Sequence, residues 1–474
     1  MILRMMNRKR ILSVALLLVC FCLSGIAKAP KYVFYFIGDG MSLNHVLGTQ
    51  YFLAKQPADR LGIAPLCFTQ FPYTGLAATF SGNSDVTDSA AGGTALACGV
   101  KTVNGTVGLA TNQATRLTSI AELAKQQGLR VGVATSVTLN HATPASFYAH
   151  QRSRNDYYEI GVQLAQSGFN FFGGGDFEEN VKADDRTAPQ LYDVAEDAGY
   201  KIVRGYDKFK KSDKVILIQD KKALESTLPY AIDATDESLT LAQITTAAIE
   251  VLDNRKGFFL MVEGGKIDYA SHANDAATVF HEVIDFDNAI RVAYDFYLQH
   301  PQETLIVITA DHETGGLTLG NGQYALNFPA LHAQKVSHVG FSRLINRMRH
   351  DTHDKVSWEQ VREALRANFG FWDQITLSEK DEKALYDEYR RSIADNKKVS
   401  MAKSLYYMDE PISALAIRIL DRIGMVGWPV GSHTAAYVPI FAVGNGAERF
   451  CGQMDNTDIP KRIAEVAGYG TIDK

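Results

Sequence analysis

The sequence predicts an α/β fold, a mainly parallel central sheet sandwiched between helices, with a large inserted subdomain towards its C-terminal end. Three observations predict it. Short apolar runs of strand length alternate with stretches of helical period along most of the 474 residues, the pattern of strands covered by helices on both faces. Acidic residues and histidines cluster just after several of these runs, where ligands of open α/β sheets sit. One long stretch, residues 319–430, is charged and irregular and interrupts the alternation.

The elements follow in chain order. Arg4, Arg8, Lys9 and Arg10 precede an uncharged apolar run ending near Leu23, and the small residues Ser24, Gly25 and Ala27 come next. This reads as a secretory signal peptide over residues 1–27, with export across the inner membrane to the periplasm and a mature start at Lys28. The run is shorter than the roughly 20 residues of a membrane span. Strands are expected at 32–37, 130–135, 169–172, 215–218, 258–262, 305–309 and 437–443, and helices at 117–127, 189–198, 239–252 and 276–298. Within 319–430 the helix candidates are 358–368 and 378–396, with no buried strand, so the segment reads as an insertion between two sheet strands of one catalytic domain spanning 28–474.

Composition narrows the function. With 46% hydrophobic and 21% charged residues the chain is neither disordered nor of low complexity, and 48 Lys+Arg against 53 Asp+Glu exclude a broadly basic nucleic-acid binder. Removing the four basic residues of the leader takes the formal charge from −5 to −9. Such a charge works against long-range attraction of an anionic substrate. Only Cys67, Cys98 and Cys451 remain, which permits at most one disulfide.

The chemistry-bearing residues lie at strand exits. Gly38-Asp39-Gly40 follows the first strand and presents a carboxylate in a tight turn. Glu263 ends another run, and Asp268 and His272, four residues apart, share one face of a helical turn, a spacing that suits a divalent metal. Asp311 and His312 can converge on one ion because the strand has ended before them, and His433 precedes the last strand. Carboxylates and imidazoles without cysteine fit catalytic Zn²⁺ beside a harder ion such as Mg²⁺. Ser89 opens a small-residue helix whose N-terminus favours an anion and supplies a candidate nucleophile.

Taken together, Phe36-Ile-Gly-Asp39-Gly-Met41, Thr87-Asp88-Ser89-Ala90-Ala91, Glu263-Gly-Gly-Lys-Ile-Asp268 with His272, Thr309-Ala-Asp311-His312-Glu313-Thr-Gly-Gly316 and Ser432-His433-Thr434 strongly resemble the motifs of alkaline phosphatases, in order, from about residue 31 onwards. The resemblance implies a phosphomonoesterase with two Zn²⁺ and one Mg²⁺. It implies Ser89 as the nucleophile that becomes phosphoserine, Asp268, His272 and His433 on one zinc, and Asp39, Asp311 and His312 on the other. Asp39 also faces magnesium, with Glu263 and Thr143. Arg154 falls at the phosphate-clamping position, with Arg152 as its neighbour should the alignment slip by two. His141 stands where some members carry an aspartate that supports the magnesium waters, and Tyr269 where a lysine or bulky residue reaches phosphate through water. Imidazole is softer than carboxylate, so His141 is expected either to weaken Mg²⁺ or to admit Zn²⁺ at the third site, with dependence on added Mg²⁺ and a more alkaline optimum as the prediction. The implied substrates are small phosphate monoesters, nucleic acid entering only through terminal phosphates, and a homodimer is left open. A sulfatase would need Pro two and Arg four residues after its nucleophile, where Ser89 is followed by Ala91 and Gly93. A two-zinc phosphodiesterase and a non-catalytic exported metal protein are weighed below the monoesterase, on Thr143, Glu263 and Arg154 and on the open mixture of ligands.

Overall fold

The computed structural model describes residues 29–54, 62–220, 225–322, 324–395 and 401–472. The expected signal peptide, 1–27, lies outside them. The apolar runs do become strands, because each is buried along its whole length: YVFYFI at Tyr32–Ile37, FFLMVE at Phe258–Glu263 and TLIVIT at Thr304–Thr309 expose no residue. In chain order the main sheet comprises β1 (Tyr32–Ile37), β2 (Tyr73–Ala78), β3 (Arg130–Thr135), β4 (Phe171–Gly174), β5 (Lys201–Arg204), β6 (Val215–Ile218), β7 (Phe258–Glu263), β8 (Thr304–Thr309), β9 (Val438–Gly444) and β10 (Gly452–Asp455). Their spatial order is β10-β2-β9-β8-β1-β7-β3-β4-β6-β5. All neighbours run parallel except β9, which is antiparallel to both β2 and β8.

Register positions the site. Ile37 lies level with Glu263 on one side and Thr309 on the other, and Glu263 lies level with Thr135. Four neighbouring strands, β8, β1, β7 and β3, therefore end along one line, and whatever follows them meets above it. Helices start where hydroxyl caps allow: Ser119 with Glu122 and Thr240 with Gln243 form reciprocal capping boxes on Ile120–Gln126 and Leu241–Leu252.

The sheet differs from expectation at its margins. β2, β5 and β10 were not anticipated: β5 and β10 lie at the two edges, where a strand need not be apolar, and β2 is only partly buried. The strand expected at 169–172 is Phe171–Gly174, and that expected at 437–443 begins at Val438. Between them, Thr318–Leu319 pairs antiparallel with Val426–Gly427, so the chain leaves and re-enters the main body at one place. Inside this loop-out lie the expected helices, Trp358–Phe369 and Glu379–Tyr389, the latter continued by a π turn, and three that were not expected, Phe328–Leu331, His338–Asp351 and Pro411–Ile423. Cys67, Cys98 and Cys451 are all free thiols. No helix among the described residues is long and apolar enough to cross a membrane.

Candidate active site

Asp39 is delivered by the continuation of β1. Gly38 N–H donates to Thr309 O at 2.9 Å, extending the ladder by one residue, and the chain then turns at Gly40 with φ +74°. A Cβ there would lie 2.8 Å from Thr314 Oγ1 and 3.0 Å from Asp268 Cα, so the turn packs directly against two other parts of the site. Glycine satisfies both demands. Asp311 is held by the same turn, its Oδ1 accepting the Gly40 N–H at 3.3 Å.

Three groups of ligand-type atoms converge there, each within 4.8 Å internally: Asp268, His272 and His433; Asp39, Asp311 and His312; and Asp39, His141 and Glu263. In the first, the helix Lys266–His272 sets Asp268 Oδ1 3.3 Å from His272 Nε2, and His433 Nε2 approaches the same oxygen at 3.6 Å. In the second, His312 Nε2 lies 3.3 Å from Asp39 Oδ1, 3.4 Å from Asp311 Oδ2 and 3.1 Å from Ser89 Oγ. Thr143 Oγ1 bridges Asp39 Oδ2 at 3.4 Å and Asp311 Oδ2 at 3.3 Å. Glu263 is fixed by a hydrogen bond from Thr135.

Every one of these residues is buried except His433, which is half-buried. Among the described residues, Asp39 Oδ1, Glu263 Oε1, Asp268 Oδ2 and His141 Nδ1 have no hydrogen-bond partner. Burial, then the charges of Asp311, Asp268 and Glu263, pushes the Asp39 carboxyl well above its ordinary range. Burial likewise raises Asp311 well above it and takes Glu263 up to about 7. For Asp268 burial acts upwards too, but His272, His433 and His312 hold it well below. Four crowded carboxyl groups, three of them with an orphaned oxygen, are costly as they stand. Divalent cations would complete them, and the carboxylate, imidazole and hydroxyl donors, with no thiolate, suit oxygen- and nitrogen-liking ions.

Ser89 is the first residue of the helix Ser89–Cys98, whose cap is Asp88: its side chain accepts the Ala91 N–H at 3.0 Å. Of the two arginines, it is Arg154 that reaches this point. Its Nη1 donates to Asp88 Oδ2 at 3.2 Å and its Nη2 to His141 Nε2 at 3.0 Å. Arg152 instead donates from Nε to Gln113 O at 3.0 Å and is directed elsewhere. Tyr269 stacks on Tyr406, with centroids 3.6 Å apart and planes 14° apart.

Sequence reasoning passed over several supporting residues. Thr135 ends β3 level with Glu263. Thr314 donates to Asp268 and lies 3.3 Å from His312 Nδ1. Asp88, the cap of the Ser89 helix, also pairs with Arg154. The signal for Thr314 was available, since it lies within the motif that carries Asp311 and His312; nothing local marks Thr135. The histidines of the inserted segment lie apart from the site: His338 bonds Asp409 and Tyr230, and His332 packs on Phe52.

Comparison with known proteins agrees with this geometry. The alkaline phosphatase family profile matches residues 30–170 and 170–469. Alkaline phosphatase 3 of Bacillus subtilis is 31% identical over 462 residues, covering 93% of this chain and 89% of that protein. The crystal structure of a cold-active alkaline phosphatase from a psychrophilic Shewanella superposes with a TM-score of 0.77 at 30% identity, over 92% of this chain and 99% of that one. The alkaline phosphatase of the Antarctic bacterium TAB5, in a variant with glutamate in place of a histidine and described with Mg bound in its M3 site, gives 0.65 at 25% identity over 94% and 100% of the two chains. Matched along nearly its whole length in sequence and in fold, the chain belongs to the alkaline phosphatase family and is an enzyme of that kind.

Proposed function

We propose that the enzyme hydrolyses phosphate monoesters to an alcohol and inorganic phosphate through a phosphoserine on Ser89, with two Zn²⁺ and one Mg²⁺ as resident cofactors. The setting of Ser89 carries this reading: a buried hydroxyl at a helix N-terminus, 3.1 Å from His312 Nε2 of one of the three ligand groups. Asp268, His272 and His433 would hold one zinc, Asp39, Asp311 and His312 the other, and Asp39, Glu263 and Thr143 the magnesium. When bound, these cations supply Lewis-acid charge that favours ionised serine and hydroxide and stabilises the oxygens entering and leaving phosphorus.

The chain's own residues do the rest. Ser89 Oγ forms a bond to phosphorus as the bond to the ester oxygen breaks, and the alcohol departs after gaining a proton from water. Water then attacks the phosphoserine, the P–Oγ bond breaks, and Ser89 regains its proton; two inversions give net retention at phosphorus. The first turn of Ser89–Cys98 turns its positive end towards the phosphate. Arg154 has five N–H donors, and those not engaged by neighbouring residues remain for phosphate oxygens. A guanidinium fork favours a monoester, whose extra non-bridging oxygen a diester lacks.

His141 acts beside the magnesium group rather than as an ordinary ligand. Its Nε2 accepts from Arg154, which cannot give up its proton, so the hydrogen lies on Nδ1. The TAB5 variant with a carboxylate in place of a histidine and Mg in its M3 site supports the view that an imidazole here disfavours Mg²⁺. The N-terminal sequence supports export to the periplasm, and the pairing of Thr318–Leu319 with Val426–Gly427 supports reading 319–430 as an insertion, cap- or crown-like, within the catalytic domain.

The test is turnover of p-nitrophenyl phosphate and bis-p-nitrophenyl phosphate with metal analysis before and after chelation. Monoester turnover that vanishes on stripping and returns with Zn²⁺ plus Mg²⁺ is expected. Full activity in metal-free protein, or preference for the diester, overturns the reading.

A further inference from the structure

We infer that Tyr406, on the hairpin formed by Ala402–Lys403 and Met408–Asp409, is a positioning residue for Arg154, so that the phosphate-binding arm of the site is completed by the inserted segment. This rests on the proposed phosphate role of Arg154. Two of that guanidinium's partners, Asp88 and His141, come from the main body. The third is Tyr406, whose hydroxyl oxygen accepts from Arg154 Nη2 at 3.5 Å. A bond that long is weak alone, and the ring adds the greater constraint: it stacks on Tyr269 at 3.6 Å and presents its plane edgewise to His141 at 5.9 Å and His272 at 5.5 Å. Tyr406 thus roofs one histidine from each of two ligand groups and closes the side towards which Arg154 would otherwise swing.

A roof positions only if it is itself fixed, and the adjacent residue fixes it. Tyr407 Oη donates to Glu225 Oε2 at 3.0 Å and accepts from Lys266 Nζ at 2.9 Å. Lys266 is fully buried, donates also to Thr227 Oγ1 at 3.1 Å, and its ammonium lies 3.7 Å over the Tyr230 ring. It belongs to the short helix that carries Asp268 and His272. The hairpin is therefore tied to the same helix as two proposed metal ligands, and the consecutive tyrosines divide the work: one anchors, the other faces the guanidinium.

The experiment measures competitive inhibition by inorganic phosphate, with KM and kcat for p-nitrophenyl phosphate, in the parent, Tyr406→Phe, Tyr406→Ala, Arg154→Ala and the Tyr406→Ala/Arg154→Ala double variant, each checked by near-ultraviolet circular dichroism. Tyr406→Ala is expected to weaken phosphate inhibition and raise KM together by about five- to tenfold, with kcat within about twofold of the parent. Tyr406→Phe, which keeps the ring, should recover most of the loss. In the Arg154→Ala background Tyr406→Ala should change phosphate inhibition little, because the group it positions is gone. An unchanged phosphate constant in Tyr406→Ala, or an undiminished effect without Arg154, overturns the inference. Failure of the parent to turn over p-nitrophenyl phosphate would instead count against the proposed function.

Discussion

His272 and His433 turn their Nε2 atoms towards each other at 3.1 Å, while the Nδ1 of each donates to a backbone carbonyl at 2.8 Å, Gly431 for one ring and Thr87 for the other. With Nδ1 so engaged, Nε2 is the atom of each ring left to serve a cation beside Asp268. Outer hydrogen bonds of this kind set tautomer and ring orientation in metal sites. His433→Ala should lower bound zinc by about one ion per chain after dialysis, with monoester turnover falling at least about a hundredfold. Elemental analysis of the purified variant checks it, and parental zinc content would refute the assignment.

Stripped of metal, the carboxyl groups of the site should weaken the fold as pH rises, against the opposite slope of His45, His141, His312 and His433, which burial keeps neutral to lower pH. Asp39 and Asp311 are pushed well above the ordinary range and Glu263 up to about 7, chiefly by burial. Their unfolded values are about 4. Above that pH these carboxyl groups hold more protons in the folded state than in the unfolded one, so their contribution to stability falls with rising pH through about 7, where Glu263 ionises in the fold. Glu282 and Asp285, raised by burial to about 8 and about 6, add a slope of the same sign whether or not metal is bound. The informative quantity is therefore the gain in Tm on adding Zn²⁺ and Mg²⁺, which should be larger at about pH 8 than at about pH 5. Equal gains would contradict the crowding of these carboxyl groups.

His141→Asp should make the third group harder and more acidic. Titration of stripped enzyme holding Zn²⁺ but no Mg²⁺ should show Mg²⁺ activation at about tenfold lower concentration than in the parent, since a hard cation prefers carboxylate to imidazole. The same change replaces the imidazole that accepts from Arg154 Nη2 with a shorter carboxylate, so KM should change as well. A Mg²⁺ requirement identical to the parent's would detach His141 from this group.

Thr314→Val should behave as a metal-site variant although Thr314 is not itself proposed as a ligand. Its hydroxyl donates to Asp268 and faces His312 Nδ1, linking the two proposed zinc groups. Loss of such a partner costs about 10–100-fold in metal affinity, measurable by competition with a chelator. Unchanged zinc affinity would show the bond to be incidental.

The alternation of buried runs and helices was legible because burial on both faces demands apolar residues throughout β1, β7 and β8. The edge strands β5 and β10 are under no such demand and carried no signal. Asp268 and His272 could be paired from spacing alone, as a helix brings i and i+4 together. Their meeting with His433 could not: it depends on the short ladder between Glu313–Thr314 and His433–Thr434, a contact between distant parts of the chain. Arg154 and Arg152 could not be separated by composition; the hydrogen bonds of Asp88 and His141 separate them. Tyr406 was hidden most deeply, because its place over Arg154 depends on how a segment of more than a hundred residues folds back onto the sheet. The acidity of the chain proved uninformative about its ligand, since the carboxylates that contribute to it are the residues fitted to collect cations.

The central claim is that Ser89 carries the phosphoryl group. Acid quenching of the enzyme during turnover of ³²P-labelled phosphate monoester, followed by peptide mass spectrometry, tests it directly. The account predicts one phosphorylated peptide, containing Ser89, and its absence together with a loss of turnover of at least about a thousandfold in Ser89→Ala. Label on another residue, or near-parental turnover in Ser89→Ala without any phosphoenzyme, would contradict it.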